Sequence, residues 1–181
     1  MKLLRIMLIA LPCTAAAFFG AAYFLPSKIE VQRSIHLQQL PEDIYPFLNN
    51  PTEWENWSVL NKLNDPSMIH LYGGPMQGKG ARLQWSGDRV GSGQLLFTES
   101  IESHSLIYKQ SDSSDSTTTL GTFILTPNNG GTQLVWRQQA VLKQTPLSKM
   151  YGLWHKYKMQ QEVEQGLVGL HKLLQSKKIK I

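Results

Sequence analysis

The sequence predicts an α+β domain: an antiparallel sheet of about seven strands packed on one long C-terminal helix, preceded by an N-terminal transmembrane helix. Three observations predict it. Between residues 29 and 141, short segments alternate apolar and polar residues and are separated by glycine- and asparagine-rich turns. Beyond Pro146 the apolar residues return instead at three- and four-residue steps. Residues 6–25 form an apolar run that no charge interrupts.

That run is taken first. Lys2 and Arg5 precede it, and Thr14 is its one polar residue. Its length fits the ~20 residues, at about 1.5 Å each, that cross a hydrocarbon layer. A secretory h-region is shorter, about 7–15 residues, so residues 1–26 are expected to be an uncleaved anchor. A cleaved signal peptide is the alternative, because small residues occur at Ala15-Ala16-Ala17 and Gly20-Ala21-Ala22. With the positive flank inside, the amino terminus is cytoplasmic and residues 27–181 form a periplasmic or extracellular domain.

Within that domain, residues 29–37 alternate cleanly and form the first strand. Pro41-Glu42-Asp43 opens a helix, with proline in the first turn and acids at the positive dipole end. Asn49-Asn50-Pro51 breaks it, and a second short helix carries Trp54 and Trp57. Strands are then expected at 67–72, 81–86, 94–102, 105–110, 117–126 and 132–141, with Asn128-Asn129-Gly130-Gly131 a strong hairpin turn. The final helix, about 28 residues long, carries an apolar stripe of Met150, Leu153, Trp154, Tyr157, Leu167, Leu170 and Leu174. The stripe turns polar at Gln160, Gln161 and Glu164, which suits a helix roofing a cavity better than one lying on a solid core.

Composition narrows the function. The chain has 181 residues, room for one domain with a sizeable core. Net charge is +5, but the basic residues are scattered among acids rather than striped, so nucleic acid is not an expected partner. The Lys177, Lys178 and Lys180 tail is expected to be a frayed, solvated helix end. Cys13 is the single cysteine, which excludes an intrachain disulfide or a cysteine-based metal site.

Motifs for chemistry are sparse. Gly73 to Lys79 spells G-x-x-x-x-G-K, but Gly80 follows where a phosphate loop needs Ser or Thr, so a hairpin loop is expected. His36, His70, His104, His155 and His171 lack metal-ligand spacing; His155 is expected to be a partly exposed helix residue. Glu53 and Glu55 are expected to be solvated, and Arg33, Arg82 and Arg137 to lie at the edge or outer face of the sheet. No catalytic residue, metal ligand or cofactor is assigned.

The ordered set of local motifs resembles the START/Bet v 1-like (SRPBCC) superfamily, in particular its polyketide cyclase/dehydrase and lipid-transport branch. Val31-Gln32-Arg33-Ser34-Ile35 resembles its first strand, and Leu40-Pro41-Glu42-Asp43-Ile44-Tyr45 the start of its first helix. Trp54-Glu55-Asn56-Trp57-Ser58 resembles its paired-tryptophan segment, and Trp85-Ser86-Gly87 with Gly91-Ser92-Gly93-Gln94-Leu95 its third strand and glycine turn. Phe123 to Pro127 and Gly131 to Trp136 resemble its last hairpin, and Gly166-Leu167-Val168-Gly169-Leu170 its closing helix. The resemblance covers residues 29–175 and implies a helix-grip fold, a curved sheet wrapped around the long helix with a ligand cavity between them.

In such a fold, core and cavity lining share one face of the sheet. Trp54, Trp57, Trp85, Phe97, Tyr108, Phe123 and Trp136 are therefore the expected ligand-binding residues, about half of them touching the cavity, together with Trp154 and Tyr157 on the helix. The function expected is a membrane-anchored binding module for a lipid-like or polyketide-like small molecule. The alternatives are a cyclase- or dehydratase-type enzyme using the same cavity, and a structural or signalling module whose cavity is vestigial.

Overall fold

The computed structural model describes Gly20 and residues 24–113 and 117–178. Strand β1 (Lys28–Leu37) leads into helix α1 (Pro41–Asn49) and a 3-10 turn (Pro51–Asn56). Six strands follow: β2 (Ile69–Gly73), β3 (Arg82–Ser86), β4 (Gly93–Ile101), β5 (Ser105–Asp112), β6 (Thr118–Asn128) and β7 (Gly131–Val141). Helix α2 (Pro146–Lys178) closes the chain. Among the described residues the strands form one antiparallel sheet in the order β1-β7-β6-β5-β4-β3-β2, with β1 alone out of sequence order. This is the helix-grip arrangement that the sequence predicts.

Turn chemistry sets the register. Asn129 and Gly130 both have positive φ (48° and 77°), the conformation that a tight hairpin needs between β6 and β7. The G-x-x-x-x-G-K segment is the β2–β3 loop, with Gly74, Gly78 and Gly80 at positive φ and no helix behind it to receive phosphate. A register shift between Phe97 and Glu99 interrupts the β4–β5 ladder, a bulge of the kind that sharpens a sheet's bend.

Aromatic rings dominate the core. Trp54 stacks its edge on Tyr108 (5.2 Å between centroids) and on Phe123 (6.0 Å) and tilts against Trp57 (5.0 Å); Phe123 and Trp136 lie 4.7 Å apart. The tryptophan pair also closes α1. Trp54 Nε1 donates to the Leu48 carbonyl (2.8 Å) and Trp57 Nε1 to the Phe47 carbonyl (3.0 Å), two acceptors that a helix C-terminus leaves open. Helix α2 reaches this cluster through glycines. A Cβ on Gly166 would collide with the Trp136 ring, and one on Gly169 with the Trp57 backbone carbonyl.

The inward stripe of α2 differs from the expected one. His155, Met159, Val163, Leu167, Leu170 and Leu174 are buried, with Gly152 against Leu142. Leu153, Trp154 and Tyr157 are instead 57%, 47% and 58% exposed. The rotation follows from Gly152: its bare backbone face approaches Leu142, which turns its large neighbours outward. His155, expected to be partly exposed, is 6% exposed for the same reason. Arg33, exposed on β1, pairs with Glu164 of α2 at 2.8 Å, which accounts for one polar residue of the helix's mid-section.

The expected anchor falls on residues outside this description, apart from Gly20, Phe24, Leu25 and Pro26. Among the described residues no helix is long and apolar enough to cross a membrane.

Candidate ligand cavity

The aromatic layer does not fill the whole space between sheet and helix. Towards the N-terminal half of α2 a cavity of about 260 Å³ opens, bounded by α2, β5, β6, the segment after the 3-10 turn and the β3–β4 loop. Its apolar wall consists of Val59, Leu60, Trp85, Val90 and Met159. Gln110, Thr119, His155 and Glu162 add polar groups to the lining. Arg89, Tyr157 and Lys158 line it from exposed positions and so form the rim.

One buried carboxylate builds the loop side. Asp65 Oδ2 accepts from the backbone amides of Arg89 (2.7 Å) and Val90 (3.0 Å), and its Oδ1 from the Ser67 amide (3.1 Å) and hydroxyl (2.6 Å). These bonds, the Ser67 hydroxyl foremost, hold the carboxyl down at about 2. The β3–β4 loop is thereby fixed, and with it the cavity-lining positions of Arg89 and Val90. A Cβ on Gly87 would strike this carboxylate, so the close approach requires glycine.

A second carboxyl belongs to the polar wall. Glu162 lies partly buried on α2, and burial, followed by the negative charge of Asp112, pushes it up to about 7. Gln110 Nε2 reaches Glu162 Oε2 at 3.4 Å, and the Gln138 amide contacts the same carboxyl. Gln138 Nε2 also donates to Tyr108 Oη (3.1 Å), which accepts from Trp136 Nε1 as well (2.9 Å). A hydrogen-bonded line thus runs from the indole of Trp136 through Tyr108 and Gln138 to the cavity carboxyl. Burial raises the Tyr108 phenol far above its ordinary value, so it stays protonated. His155 Nε2 lies 3.2 Å from Thr119 Oγ1 on the neighbouring wall.

Of the aromatic residues proposed from sequence, the structure places Trp85 and Tyr157 on the cavity. Tyr108 and Trp136 stand behind it and touch it through Gln138 and Glu162. Trp54, Trp57, Phe97 and Phe123 are packed into the solid cluster, and Trp154 faces outward under the Lys158 ammonium (4.2 Å). The three strand arginines stay off the cavity: Arg137 Nε donates to Gln32 Oε1 (2.7 Å), Arg33 meets Glu164, and Arg82 is exposed. Glu53 accepts from Asn56 (3.0 Å) and exposed Glu55 lies 3.5 Å from His70, both away from the cavity. Among the described residues no group of histidine, cysteine, aspartate and glutamate is placed to hold a metal ion.

A curved seven-stranded sheet, a long closing helix and a cavity between them define a START/Bet v 1-like domain. More particularly, residues 40–175 match the family described as Activator of Hsp90 ATPase homolog 1-like protein, and the chain belongs to it. Solved structures share the fold at low identity. A protein of unknown function from Staphylococcus aureus superposes with a TM-score of 0.65 at 11% identity, covering 83% of this chain and 96% of that one. Protein MLL2253 from Mesorhizobium loti gives 0.60 at 18%, covering 82% and 98%. DynU16, of the dynemicin biosynthetic locus, gives 0.57 at 10%, covering 84% of this chain and 48% of that one. No curated protein matches the chain in sequence.

Proposed function

We propose that this chain binds a small apolar molecule in the cavity beneath α2 and is held at a membrane by residues 1–26. The observation carrying the first half is the cavity itself: one space lined by apolar Trp85, Val90 and Met159 together with a few polar groups. Its volume of about 260 Å³ lies just below the ~300–1,000 Å³ usual for small-molecule sites. That size suits one compact ring system, of polyketide-like dimensions, or a single short chain, and is too small for a two-chain lipid. Trp85 is the built-in reporter: a bound guest should quench its fluorescence saturably, and the signal should vanish in Trp85→Phe. Absence of saturable binding across a panel of apolar probes would refute this reading and favour a structural module.

The second half rests on the apolar run and on where it would leave the domain. The Leu142 amide donates to the Ser27 carbonyl at 2.7 Å, so the domain's first residues lie beside the start of α2. There Leu147, Leu153, Trp154 and Tyr157 are exposed among Lys143, Lys156 and Lys158, the pairing of apolar and basic side chains that settles at a bilayer interface. A C-terminal reporter active only on the cytoplasmic side, or a mature chain beginning near Tyr23, would overturn the anchored topology.

Glu162 favours an enzyme as the second reading. A cavity carboxyl held near 7 is poised to give and take protons, as a cyclase or dehydratase requires. Turnover of a polyketide-like probe, lost in Glu162→Gln while binding persists, would establish it.

A further inference from the structure

The polar wall of the cavity holds more acceptors than it can satisfy. Gln110 and Gln138 are 9% and 0% exposed, and the side-chain carbonyl oxygen of each is buried without a hydrogen-bond partner. Between them lies Glu162, which carries one proton at most and so can satisfy only one of the two. Gln138 sits behind the wall and Gln110 on it, so the Glu162 proton suits Gln138 and Gln110 is left facing the cavity. Turning the Gln110 amide over would strand its NH2 instead. In either orientation one polar atom of a nine-tenths-buried side chain lacks a partner within the protein, and such a deficit is costly.

We propose, resting on the binding reading above, that the cavity selects an apolar guest by a hydroxyl group seated between Gln110 and the Glu162 carboxyl. A hydroxyl donates and accepts, so it suits either orientation of Gln110 and either protonation state of Glu162. A hydrocarbon end leaves the amide unsatisfied. A carboxylate end brings a further negative charge beside Asp112 and Glu162, whose own repulsion already contributes to the raised Glu162 value. The remaining charged groups around the cavity, Lys158 of α2 and Arg89 of the β3–β4 loop, are exposed at the rim, and His155 faces Thr119.

The test compares three guests of one shape: naphthol, methylnaphthalene and naphthoate, substituted at the same ring position. They are titrated calorimetrically into the full-length chain in lipid nanodiscs, against empty nanodiscs. Naphthol is expected to bind about tenfold more tightly than methylnaphthalene, ~1.4 kcal/mol, with naphthoate weakest. Gln110→Met should bring naphthol and methylnaphthalene to parity, with a wild-type circular dichroism spectrum and cooperative thermal unfolding to show that the variant still folds. Equal affinity for all three guests, or tightest binding of naphthoate, overturns the hydroxyl proposal and leaves the binding reading standing. Binding of none overturns both.

Discussion

Replacing Glu162 by glutamine should stabilise the domain, and only above a definite pH. In the folded chain the carboxyl titrates at about 7 against an ordinary glutamate value of 4.5. Each unit of that difference corresponds to about 1.36 kcal/mol. The sign follows from proton counting. Between these two values the native state holds a proton that the unfolded chain has released, so stability falls as pH rises through the interval. Below 4.5 both states are protonated and the group is neutral to folding. Above about 7 both are ionised, and the native state bears the full cost of a buried charge, at most about 3 kcal/mol. Glutamine keeps the shape and cannot ionise. The variant should therefore match the wild type near the acid end and exceed it by up to about 3 kcal/mol at about pH 8. Denaturant midpoints of both proteins across this range measure the difference directly. A difference that stays flat with pH, or a variant less stable at about pH 8, would show that the carboxyl is not buried as described.

Trp57→Ala should lower unfolding stability by about 3–5 kcal/mol, since it empties a ring site and strands the Phe47 carbonyl, whereas exposed Trp154→Ala should change it by less than about 0.5. Gly169→Ala, although it introduces a better helix former, should destabilise by roughly 1–3 kcal/mol, because its Cβ meets the Trp57 carbonyl; calorimetric melting decides. Asp65→Ala should release the β3–β4 loop, seen as faster hydrogen exchange at the Arg89 and Val90 amides and weaker guest binding. Because the Asp65 carboxyl is held below its ordinary value, the stability it provides in the wild type is complete above 3.8 and should be lost as pH falls through about 2, a loss absent from the variant.

The architecture was legible because its signals are local. Residues 29–37 and 132–141 alternate so regularly that their pairing face is fixed, and the observed strands Lys28–Leu37 and Gly131–Val141 differ from expectation by a residue at one end. The phase of α2 was less legible, because Leu153, Trp154 and Tyr157 are apolar yet outward, and hydropathy alone cannot tell an exposed apolar face from a core stripe. What turned the helix is a glycine, Gly152, whose role depends on Leu142 in three dimensions. The carboxyl behind the β3–β4 loop and the one in the cavity left faint traces. Asp65-Pro66-Ser67 spells a turn in which the aspartate caps its own backbone, and Glu162 falls at helical spacing between Met159 and Gly166, on the buried arc. Neither pattern is specific: Asp65 also takes the Arg89 and Val90 amides of a distant loop, and Glu162 meets Asp112, Gln110 and Gln138 from distant strands.

Why one domain is solid at one end and hollow at the other is set by side-chain size along a single helix. In the C-terminal half of α2, Gly166 and Gly169 let the backbone settle against Trp57 and Trp136, and Leu167, Leu170 and Leu174 fill what remains. One turn before that contact the inward residues are Val163 and partly buried Glu162, then Met159 and His155, and the layer of rings ends at Tyr108. Of the other rings, Phe97 and Phe123 are apolar and Trp54 and Trp57 are satisfied by α1, which leaves the Trp136 indole in need of an acceptor. Tyrosine there brings a hydroxyl into the core, and that hydroxyl has two buried donors, Trp136 and Gln138, directed at it. Burying three polar groups so deep is unfavourable unless they are paired, and the last of them, Gln138, is paired on the cavity side only through Glu162. The aromatic cluster and the cavity are thus one construction: the core fixes Gln138, Gln138 fixes the carboxyl, and the carboxyl gives an otherwise apolar cavity its directional end.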